Sequence, residues 1–367
     1  MASPDDIANP ATPLRRGWTT GACATAATRA AYELLHTGQA PAVVTIELPN
    51  GAAVEFAVAM TAMDAGTATA GVVKDAGDDP DVTHGALVKS SVSRGRPGSG
   101  VVFRAGAGVG TVTRPGLAIP PGEPAINPVP RDMMRRAVQA AAAQFGSSSD
   151  IVIEISIPGG DALAVRTLNG RLGIVGGLSI LGTTGIVVPF SCAAWIHTIH
   201  RGIDVARASG LTHIAGSTGS TSERAVQKLH ALPETALIEM GDFVGGLLKY
   251  LKRHPVPRLT IAGGFAKMTK LGQGLLDLHS KRGEVDLTWL AGLAETGGAS
   301  PELCQAVRAA NTAQQALQLV DAAGVRLGPL VAEAAWATAA AELAAAAVAL
   351  DVAVFDRNGV LVGHAGP

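Results

Sequence analysis

The sequence predicts a mixed fold, with an α+β first half and an α/β second half built on a parallel sheet. In the first half, two strand-like segments flank Asn50-Gly51, a pair that supplies the positive φ angles of a tight hairpin turn. In the second half, strand-like segments, glycine turns and helical segments alternate, which is typical of a parallel sheet with crossover helices. We therefore expect two domains, over residues 1–190 and 191–367.

Composition and charge exclude one large class of proteins. Of the 367 residues, 47% are apolar, 16% are charged and only 4% are aromatic. A large core of alanine, valine, leucine and isoleucine is therefore expected, because small side chains let helices pack close to a sheet. The net charge of −1 argues against a general nucleic-acid binder, since such domains are usually strongly basic.

The sequence also favours a cytoplasmic protein without a membrane partner. The first residues carry acids and no apolar stretch, which argues against a signal peptide. The alanine-rich residues 334–350 contain Glu342 and are expected to form a soluble helix, not a membrane span. Cys23, Cys192 and Cys304 are far apart, so neither a disulfide framework nor a zinc site is expected.

In the first half, a helix is expected over residues 22–36, ending at Gly38, followed by a hairpin of residues 43–48 and 53–58. The remaining expected elements are strands at 68–74, 86–93, 101–104 and 151–157 and a helix at 131–145. In the second half we expect helices at 191–208, 222–230 and 242–253, strands at 211–215, 236–240 and 258–262, an alanine-rich helix over 301–350 and a strand at 352–355.

Glycines at the ends of the second-half strands predict a binding edge. Gly216, Gly241 and Gly263 each end or follow a strand-like segment, and parallel sheets bind ligands outside the carboxyl ends of their strands. No GxGxxG motif follows a strand, which argues against a standard dinucleotide site. The residues that we predict to bind a cofactor there are Gly216, Ser217, Thr218, Gly219, Glu239, Asp242, Gly263 and Gly264.

Three Gly-Thr turns predict binding of an oxygen-rich, charged small molecule. They lie within residues 15–27, 177–189 and 215–223. A turn that opens into a helix presents free backbone N–H groups and the positive end of the helix dipole to an anion. The alternative is that the hydroxyl groups only cap helices. The candidate substrate-binding residues in these turns are Arg15, Thr19, Thr20, Gly21, Thr183 and Thr184.

Residues 74–85, here named the acidic turn, carry four aspartates and a histidine. Clustered carboxylates repel one another, so some should have raised pKa values and could act as a general base. The candidate catalytic residues are Asp75, Asp78, Asp79 and His84. Binding of a hard metal such as magnesium and a merely solvated turn are the alternatives.

Between residues 94 and 136 the chain carries seven arginines against two acids, Glu123 and Asp132. Arginine binds carboxylates and phosphates through two parallel hydrogen bonds, so this segment suits a polycarboxylate ligand. Arg114 and Arg131 are the substrate-binding candidates, and scattered surface arginine is the alternative.

Taken together, these motifs resemble the cobalt-precorrin-5B C(1)-methyltransferases of the anaerobic route to cobalamin, over roughly residues 14–290. The segments that carry the resemblance are residues 15–27, 74–85, 108–113, 124–131, 177–189, 215–220 and 263–270. Arg16, Trp18 and Ala22 stand where other residues are more usual in that family, which affects fine substrate contacts.

The resemblance implies methyl transfer from S-adenosylmethionine to ring carbon C1 of a cobalt-containing corrinoid precursor, giving cobalt-precorrin-6A. It implies that cobalt arrives inside the substrate, so the protein needs no metal ligands of its own. It also implies that the first domain is similar to a split βαβ fold of the ribosomal S5 domain 2 type. A carboxylate or histidine would take the proton lost after alkylation.

Two other classes of function stay open from the residues alone. A phosphate- or nucleotide-binding transferase or kinase of small molecules would use the same Gly-Thr turns. A non-catalytic corrinoid- or RNA-binding module is the third hypothesis, and the acidic turn and near-neutral charge argue against RNA. Self-association into a homo-oligomer is compatible with the sequence.

Overall fold

The computed structural model describes residues 13–344 and 346–367, and the chain divides into two units, one ending at Ser191 and one beginning at Cys192. Both units mix helices with sheets. The expectation for the acidic amino terminus concerns residues 1–12, which lie outside the described residues. No helix in the described ranges is long and apolar enough to cross a membrane.

The first unit is built on a five-stranded sheet in the order β4-β5-β6-β10-β7. Its elements are β1 (Gly17–Trp18), α1 (Thr20–Thr37), β2 (Val43–Glu47), β3 (Ala53–Ala57), β4 (Met60–Asp64), β5 (Thr67–Val73), β6 (Leu87–Arg94), β7 (Val101–Ala105), β8 (Gly108–Val109), β9 (Thr111–Val112), α2 (Pro128–Phe145), β10 (Ile151–Ser156), α3 (Gly160–Ala164), β11 (Ile174–Val175), β12 (Gly177–Leu178) and β13 (Ile186–Val187). Within the sheet β7 and β10 pair in parallel and the other neighbours are antiparallel.

Helix α1 lies at the centre of this unit, where it packs on α2, β5 and β6. Its small side chains are almost all buried, which permits this close packing. Thr19 caps its start and Gly38 ends it with a left-handed φ of 72°, as glycine commonly does at this position. The expected helix end and the expected hairpin, observed as β2 and β3 in antiparallel register, are confirmed. Of the Asn50-Gly51 pair, however, Gly51 alone has a positive φ.

Two features of the first unit differ from expectation. Strand β4 is not anticipated, because four of its five residues are exposed and it shows no apolar alternation. A hairpin turn at Ala65-Gly66, both with positive φ, joins it to β5. Helix α2 begins at Pro128 rather than residue 131, because proline fits the first helical turn.

The second unit is a sheet in the order β15-β14-β16-β17-β18, parallel except for the antiparallel β18. Its elements are α4 (Cys192–Ala208), β14 (His213–Ser217), α5 (Ser220–His230), β15 (Leu237–Glu239), α6 (Val244–Arg253), β16 (Arg258–Gly264), α7 (Phe265–Gly272), α8 (Leu287–Thr296), α9 (Pro301–Arg308), α10 (Ala313–Ala322), α11 (Leu327–Leu343), β17 (Ala349–Phe355) and β18 (Leu361–Ala365). The expected parallel sheet is confirmed.

Helices cover both faces of this sheet, since alternate strand residues enter different apolar clusters. Ile214 and Ile261 belong to a large cluster shared with α6, α7 and α11. Ala215 and Ala262 belong to a smaller one that includes Val226 of α5. Two-sided burial explains the continuous apolar character of these strands.

The expectation of one alanine-rich helix over residues 301–350 is wrong. The segment forms α9, α10 and α11, separated at Thr312, which caps α10, and at Gly324, which has a φ of 77°. Helix α11 ends at Leu343, and residues 349–350 already belong to β17. Alanine has high helix propensity, but pairing of β17 with β16 overrides this local preference.

Candidate functional site

Three segments that are distant in sequence meet in the first unit. The acidic turn contacts the first segment, residues 15–21, where Trp18 N–H donates to the Asp75 carbonyl at 2.7 Å. The third segment, residues 181–190, pairs with the first through β1 and β13, and Thr19 N–H donates to the Gly185 carbonyl at 3.0 Å. We name this assembly of residues 15–21, 74–85 and 181–190 the three-turn cluster. The third Gly-Thr turn of the sequence, residues 215–223, is not part of it and belongs to the second unit.

Glycine is required where the first segment crosses the acidic turn. A Cβ atom at Gly17 would lie 2.0 Å from the Ala76 carbonyl carbon. A Cβ atom at Gly77, whose φ is 68°, would lie 2.1 Å from the Arg15 carbonyl oxygen. These distances are much shorter than a van der Waals contact, so a side chain at either position would overlap the facing backbone. Glycine therefore permits the two backbone segments to approach this closely.

Arg15 and Asp75 form a two-pronged ion pair across this crossing. Arg15 Nη1 donates to Asp75 Oδ2 and Nη2 donates to Oδ1 at 2.9 Å, and both side chains are about half exposed. The Arg15 guanidinium, together with the Gly77 N–H, lowers the pKa of Asp75 to about 2. The pKa of Asp75 is thus lowered and not raised as expected for clustered carboxylates, because the arginine outweighs their repulsion. A carboxylate with so low a pKa is a weak base, so Asp75 is better suited to holding the first segment than to removing a proton.

The other two predicted carboxylates also bind backbone N–H groups. Asp78 Oδ2 accepts from the N–H of Arg15 at 2.6 Å, and the N–H of Asp78 donates back to the Arg15 carbonyl at 3.0 Å. Asp79 Oδ1 accepts from the N–H of Phe190 at 2.9 Å. Phe190 has a φ of 54°, which is uncommon for a residue with a side chain, so Asp79 anchors a strained end of the third segment.

Lys74 is the most deeply buried charge in the three-turn cluster, with only 1% of its side chain exposed. Its Nζ pairs with Asp81 Oδ2 and donates to Thr83 Oγ1 at 2.7 Å. Burial alone would raise the pKa of Asp81, but the Lys74 ammonium and hydrogen bonds from Thr83 outweigh it and hold that pKa below its usual range. This pair braces the acidic turn from inside.

His84 lies at the end of the acidic turn and is about half exposed. Its Nδ1 accepts a hydrogen bond from the N–H of Ala76 at 3.1 Å. A nitrogen that accepts carries no proton, so the neutral ring is held in the tautomer with its proton on Nε2.

The predicted threonines separate into buried and exposed pairs. Thr19 Oγ1 accepts from the N–H of Ala22 at 3.2 Å as the α1 cap, and Thr20 Oγ1 lies 3.2 Å from both the N and the O of Leu181. Both are buried. Thr183 and Thr184 are exposed. Only the second pair lies at the surface, where a ligand could reach the hydroxyl groups.

Gly21, the remaining substrate-binding candidate of the first segment, is buried in the first turn of α1. A Cβ atom there would lie 2.7 Å from Cγ of Pro130. Its missing side chain is therefore explained by helix packing.

The two predicted arginines have different surroundings. Arg131 is 17% exposed, and its guanidinium donates to the carbonyls of Ile126 at 2.8 Å and Pro124 at 3.0 Å and to Glu123 at 3.2 Å. Arg114 is exposed. Arg131 is thus occupied in shaping a loop, whereas the Arg114 guanidinium reaches solvent.

In the second unit, the predicted cofactor-binding residues converge at the carboxyl ends of β14, β15 and β16, here named the carboxyl edge. Ser217 and Glu239 end β14 and β15 in matched register, and Gly264 ends β16. The Ser217 carbonyl accepts from the N–H groups of Met240 at 3.0 Å and Gly241 at 3.2 Å. The loops after β14 and β15 are therefore fixed to each other.

The four predicted glycines of this edge have two kinds of surroundings. Gly216 and Gly263 lie inside strands and are buried, and a Cβ atom at either would lie within 3 Å of a core side chain, Leu247 or Met268. Gly219 and Gly264 are half-buried and face open space. Packing explains the first two glycines, and the last two leave room for a ligand.

Lys267 of α7 completes the carboxyl edge. Its Nζ donates to the Thr218 carbonyl at 3.1 Å and lies 3.0 Å from Asp242 Oδ1. Asp242 is thus placed at this edge by an ion pair. Ser217 Oγ also donates to the buried Glu223 at 3.4 Å, so side chains from α5 and α7 meet the strand ends here.

The Cys23 thiol and the arrangement of metal-binding side chains bear on two further kinds of chemistry. Burial raises the pKa of the Cys23 thiol to about 12, so it is not a nucleophile at neutral pH. Across residues 13–344 and 346–367, no group of three or more His, Cys, Asp or Glu side chains is arranged to hold a metal ion.

Sequence reasoning did not assign roles to Asp81, Thr83 and Lys267. For Asp81, a usable signal was Lys74 itself, which directly follows the apolar strand residues Val72 and Val73. A lysine at such a position is buried and needs a nearby carboxylate. For Lys267 no local signal exists, because Thr218 and Asp242 are brought to it only by the sheet.

Comparison with known proteins identifies the family. Residues 7–189 match CbiD, and residues 277–366 match the CbiD C-terminal domain. The cobalt-precorrin-5B C(1)-methyltransferase of Bradyrhizobium sp. is 70% identical, over 96% of this chain and 94% of that protein. That of Agrobacterium fabrum is 61% identical, over 96% and 93%.

A solved structure is also similar: the cobalamin biosynthesis protein cbiD from Archaeoglobus fulgidus, 28% identical, with a TM-score of 0.41 over 73% of this chain and 83% of that one. The matched sequence families and the extent of the identity together decide the classification. The chain belongs to the CbiD family.

Proposed function

We propose that this chain transfers a methyl group from S-adenosylmethionine to ring carbon C1 of cobalt-precorrin-5B, giving cobalt-precorrin-6A. The observation that carries the proposal is the near full-length identity of 70% to a protein named cobalt-precorrin-5B C(1)-methyltransferase. The relative from Agrobacterium fabrum has the same name. Neither of these names supports the kinase alternative.

The chemistry is an alkylation. The bond between sulfur and the methyl carbon of the sulfonium breaks, a bond between that carbon and C1 forms, and S-adenosylhomocysteine leaves. Such a reaction needs the sulfonium and the ring carbon aligned near attack distance, so positioning supplies much of the rate. Cobalt belongs to the substrate. The protein itself binds two ligands, the corrinoid and S-adenosylmethionine, and aligns them.

For the corrinoid we propose the three-turn cluster as the binding region. Thr183 and Thr184 of this cluster are exposed, as is Arg114 elsewhere in the same unit, and such groups suit the carboxylates on the rim of the macrocycle. Arg15, Thr19, Thr20 and Gly21 shape the cluster through the contacts described above. Arg131 shapes the loop of residues 123–126 in the same unit. Asp79 and His84 are the candidates for moving a proton, with Asp75 and Asp78 holding the first segment.

For S-adenosylmethionine we propose the carboxyl edge of the second unit. Gly219 and Gly264 leave space there, and Glu239 and Asp242 are carboxylates placed beside that space. Carboxylates accept hydrogen bonds from ribose hydroxyls and attract a cationic sulfonium. Gly216, Ser217, Thr218 and Gly263 support the edge by packing and hydrogen bonds.

The proposal extends to the fold of the first unit, the domain bounds, the cellular location and the partners of the chain. The first unit would correspond to the split βαβ fold of the ribosomal S5 domain 2 type, and the functional domains to residues 1–190 and 191–367. The enzyme would act in the cytoplasm on a small corrinoid, with no nucleic-acid or membrane partner, and self-association would be compatible with it.

A ligand titration combined with a transfer assay tests the proposal. S-adenosylhomocysteine at a hundredfold excess over its Kd should stabilise the chain by about 2.7 kcal/mol, whereas ATP and NAD should not. Incubation with S-adenosylmethionine and cobalt-precorrin-5B should yield a corrinoid heavier by one methyl group. Stabilisation by ATP but not by the adenosyl ligand, with no transfer, would refute the proposal.

A further inference from the structure

One ammonium group connects three neighbouring strand ends at the carboxyl edge. Lys267 lies in the first turn of α7, directly after β16. Its Nζ contacts the carbonyl of Thr218, which follows β14, and the carboxylate of Asp242, which follows β15. The ammonium therefore adds a side-chain link between loops that backbone bonds to the Ser217 carbonyl already join.

This link is not what keeps the sheet folded. The Lys267 side chain is 39% exposed and that of Asp242 is 23% exposed, although the Asp242 Oδ1 atom itself is buried. Ion pairs between partly exposed side chains contribute little to stability. Backbone bonds already join the strands, including Thr218 N–H to the Ala262 carbonyl at 3.0 Å. Loss of the ammonium should therefore leave the fold intact and free the side chain of Asp242.

We propose that Lys267 is a positioning residue of the adenosyl-ligand site, acting through Asp242 and the Thr218 carbonyl. The inference rests on the proposed function, because it assumes that the ligand binds at the carboxyl edge. The lysine fixes the carboxylate of Asp242 in one orientation, so that the ligand meets an ordered acceptor. A preorganised acceptor binds more tightly than one that must be ordered on binding.

Calorimetric titration of the full chain with S-adenosylhomocysteine tests this role. Lys267→Met should weaken binding roughly tenfold, which corresponds to 1.4 kcal/mol, with an unchanged melting temperature of the free protein. Lys267→Arg, which keeps the charge, should recover most of the affinity. Lys249→Met is the matched control, because Lys249 is an exposed lysine on α6 of the same unit, and it should bind normally.

A double-mutant cycle shows whether Lys267 acts through Asp242. If it does, Lys267→Met combined with Asp242→Asn should bind no more weakly than the worse single variant, because the two changes remove one interaction. Additive losses, or a fall in melting temperature of the free protein that matches the loss of affinity, would overturn the positioning role.

The failure of this inference can be told apart from failure of the proposed function. If the wild-type chain binds S-adenosylhomocysteine and Lys267→Met binds it equally well, the positioning role alone is wrong. If the wild-type chain does not bind the adenosyl ligand at all, the cofactor assignment is wrong and the role of Lys267 is wrong with it.

Discussion

Among the residues that the structure describes, each unit buries one charged side chain completely, but the two charges differ in how many partners surround them. Lys74 of the first unit is 1% exposed and Asp351 of the second unit is 0% exposed. In the described part of the chain, the carboxylate within ion-pair distance of Lys74 is that of Asp81. Asp351 instead has a ring of partners.

The ring around Asp351 is made of four groups from three elements, β16, α5 and β18. Arg258 Nε donates to Oδ1 at 3.0 Å, and Thr260 Oγ1 donates to Oδ2 at 2.9 Å. The Nε2 atoms of His230 and His364 each lie 3.5 Å from Oδ2. A buried charge must be compensated. The first unit compensates the Lys74 ammonium with one carboxylate, whereas the second unit surrounds the Asp351 carboxylate with an arginine and two histidines.

The largest expected effect comes from removing the counter-ion of the buried lysine. Asp81→Asn leaves the Lys74 ammonium buried without a carboxylate, which should destabilise the first unit by about 3–5 kcal/mol. Lys74→Met should cost less, because Asp81 is 26% exposed and can be hydrated. Urea unfolding of both variants measures this, and equal stability of Asp81→Asn and wild type would show that Asp81 is not needed.

A smaller effect is expected for the matching change in the second unit. Arg258→Met removes a charged partner of Asp351, yet the expected loss is only about 1.5–3 kcal/mol, because His230 can take up a proton and replace the positive charge. NMR titration should show the pKa of His230 rising in this variant. A loss as large as that of Asp81→Asn, with an unchanged His230 pKa, would remove the distinction between the units.

The smallest effect is a difference in acid sensitivity between the units. Burial is the main cause that lowers the pKa values of His200, His213 and His230 in the second unit and of His36 in the first. A histidine with a lowered pKa binds fewer protons in the folded than in the unfolded state, so stability falls as pH drops through 6.5, its ordinary pKa. The carboxylate pKa values of Asp75 and Asp81 are lowered instead, so their contribution is lost only below about pH 4.

Hydrogen exchange at pH 7.5 and 5.5 measures this difference within one sample, after correction for the intrinsic exchange rate. The amides of β14, β16 and β17 should lose more protection than those of β5, β6 and β10. His230→Gln should reduce the difference between the two units. Equal losses in both sheets would mean that the histidines of the second unit do not control its stability.

Local sequence patterns determined much of the architecture. The Asn50-Gly51 hairpin, the end of α1 at Gly38 and the alternation of strands and helices in the second half are all found as expected. These features depend on backbone angles and on periodic burial within short segments, which neighbouring residues largely decide. The expectation failed at residues 301–350, where long-range strand pairing overrides the helix propensity of alanine.

For the candidate site, the sequence by itself determined which residue types are present, and the tertiary structure decided what each one contacts. Asp75 and Asp78 bind the first segment, and Arg131 holds a loop. The core side chains packed around Gly216 leave no room there for a Cβ atom. Lys267 meets Asp242 and Thr218 only because parallel strands bring their carboxyl ends to one edge. The physical reason is that ion pairs and close backbone approaches join residues tens of positions apart, and no local pattern encodes the partner.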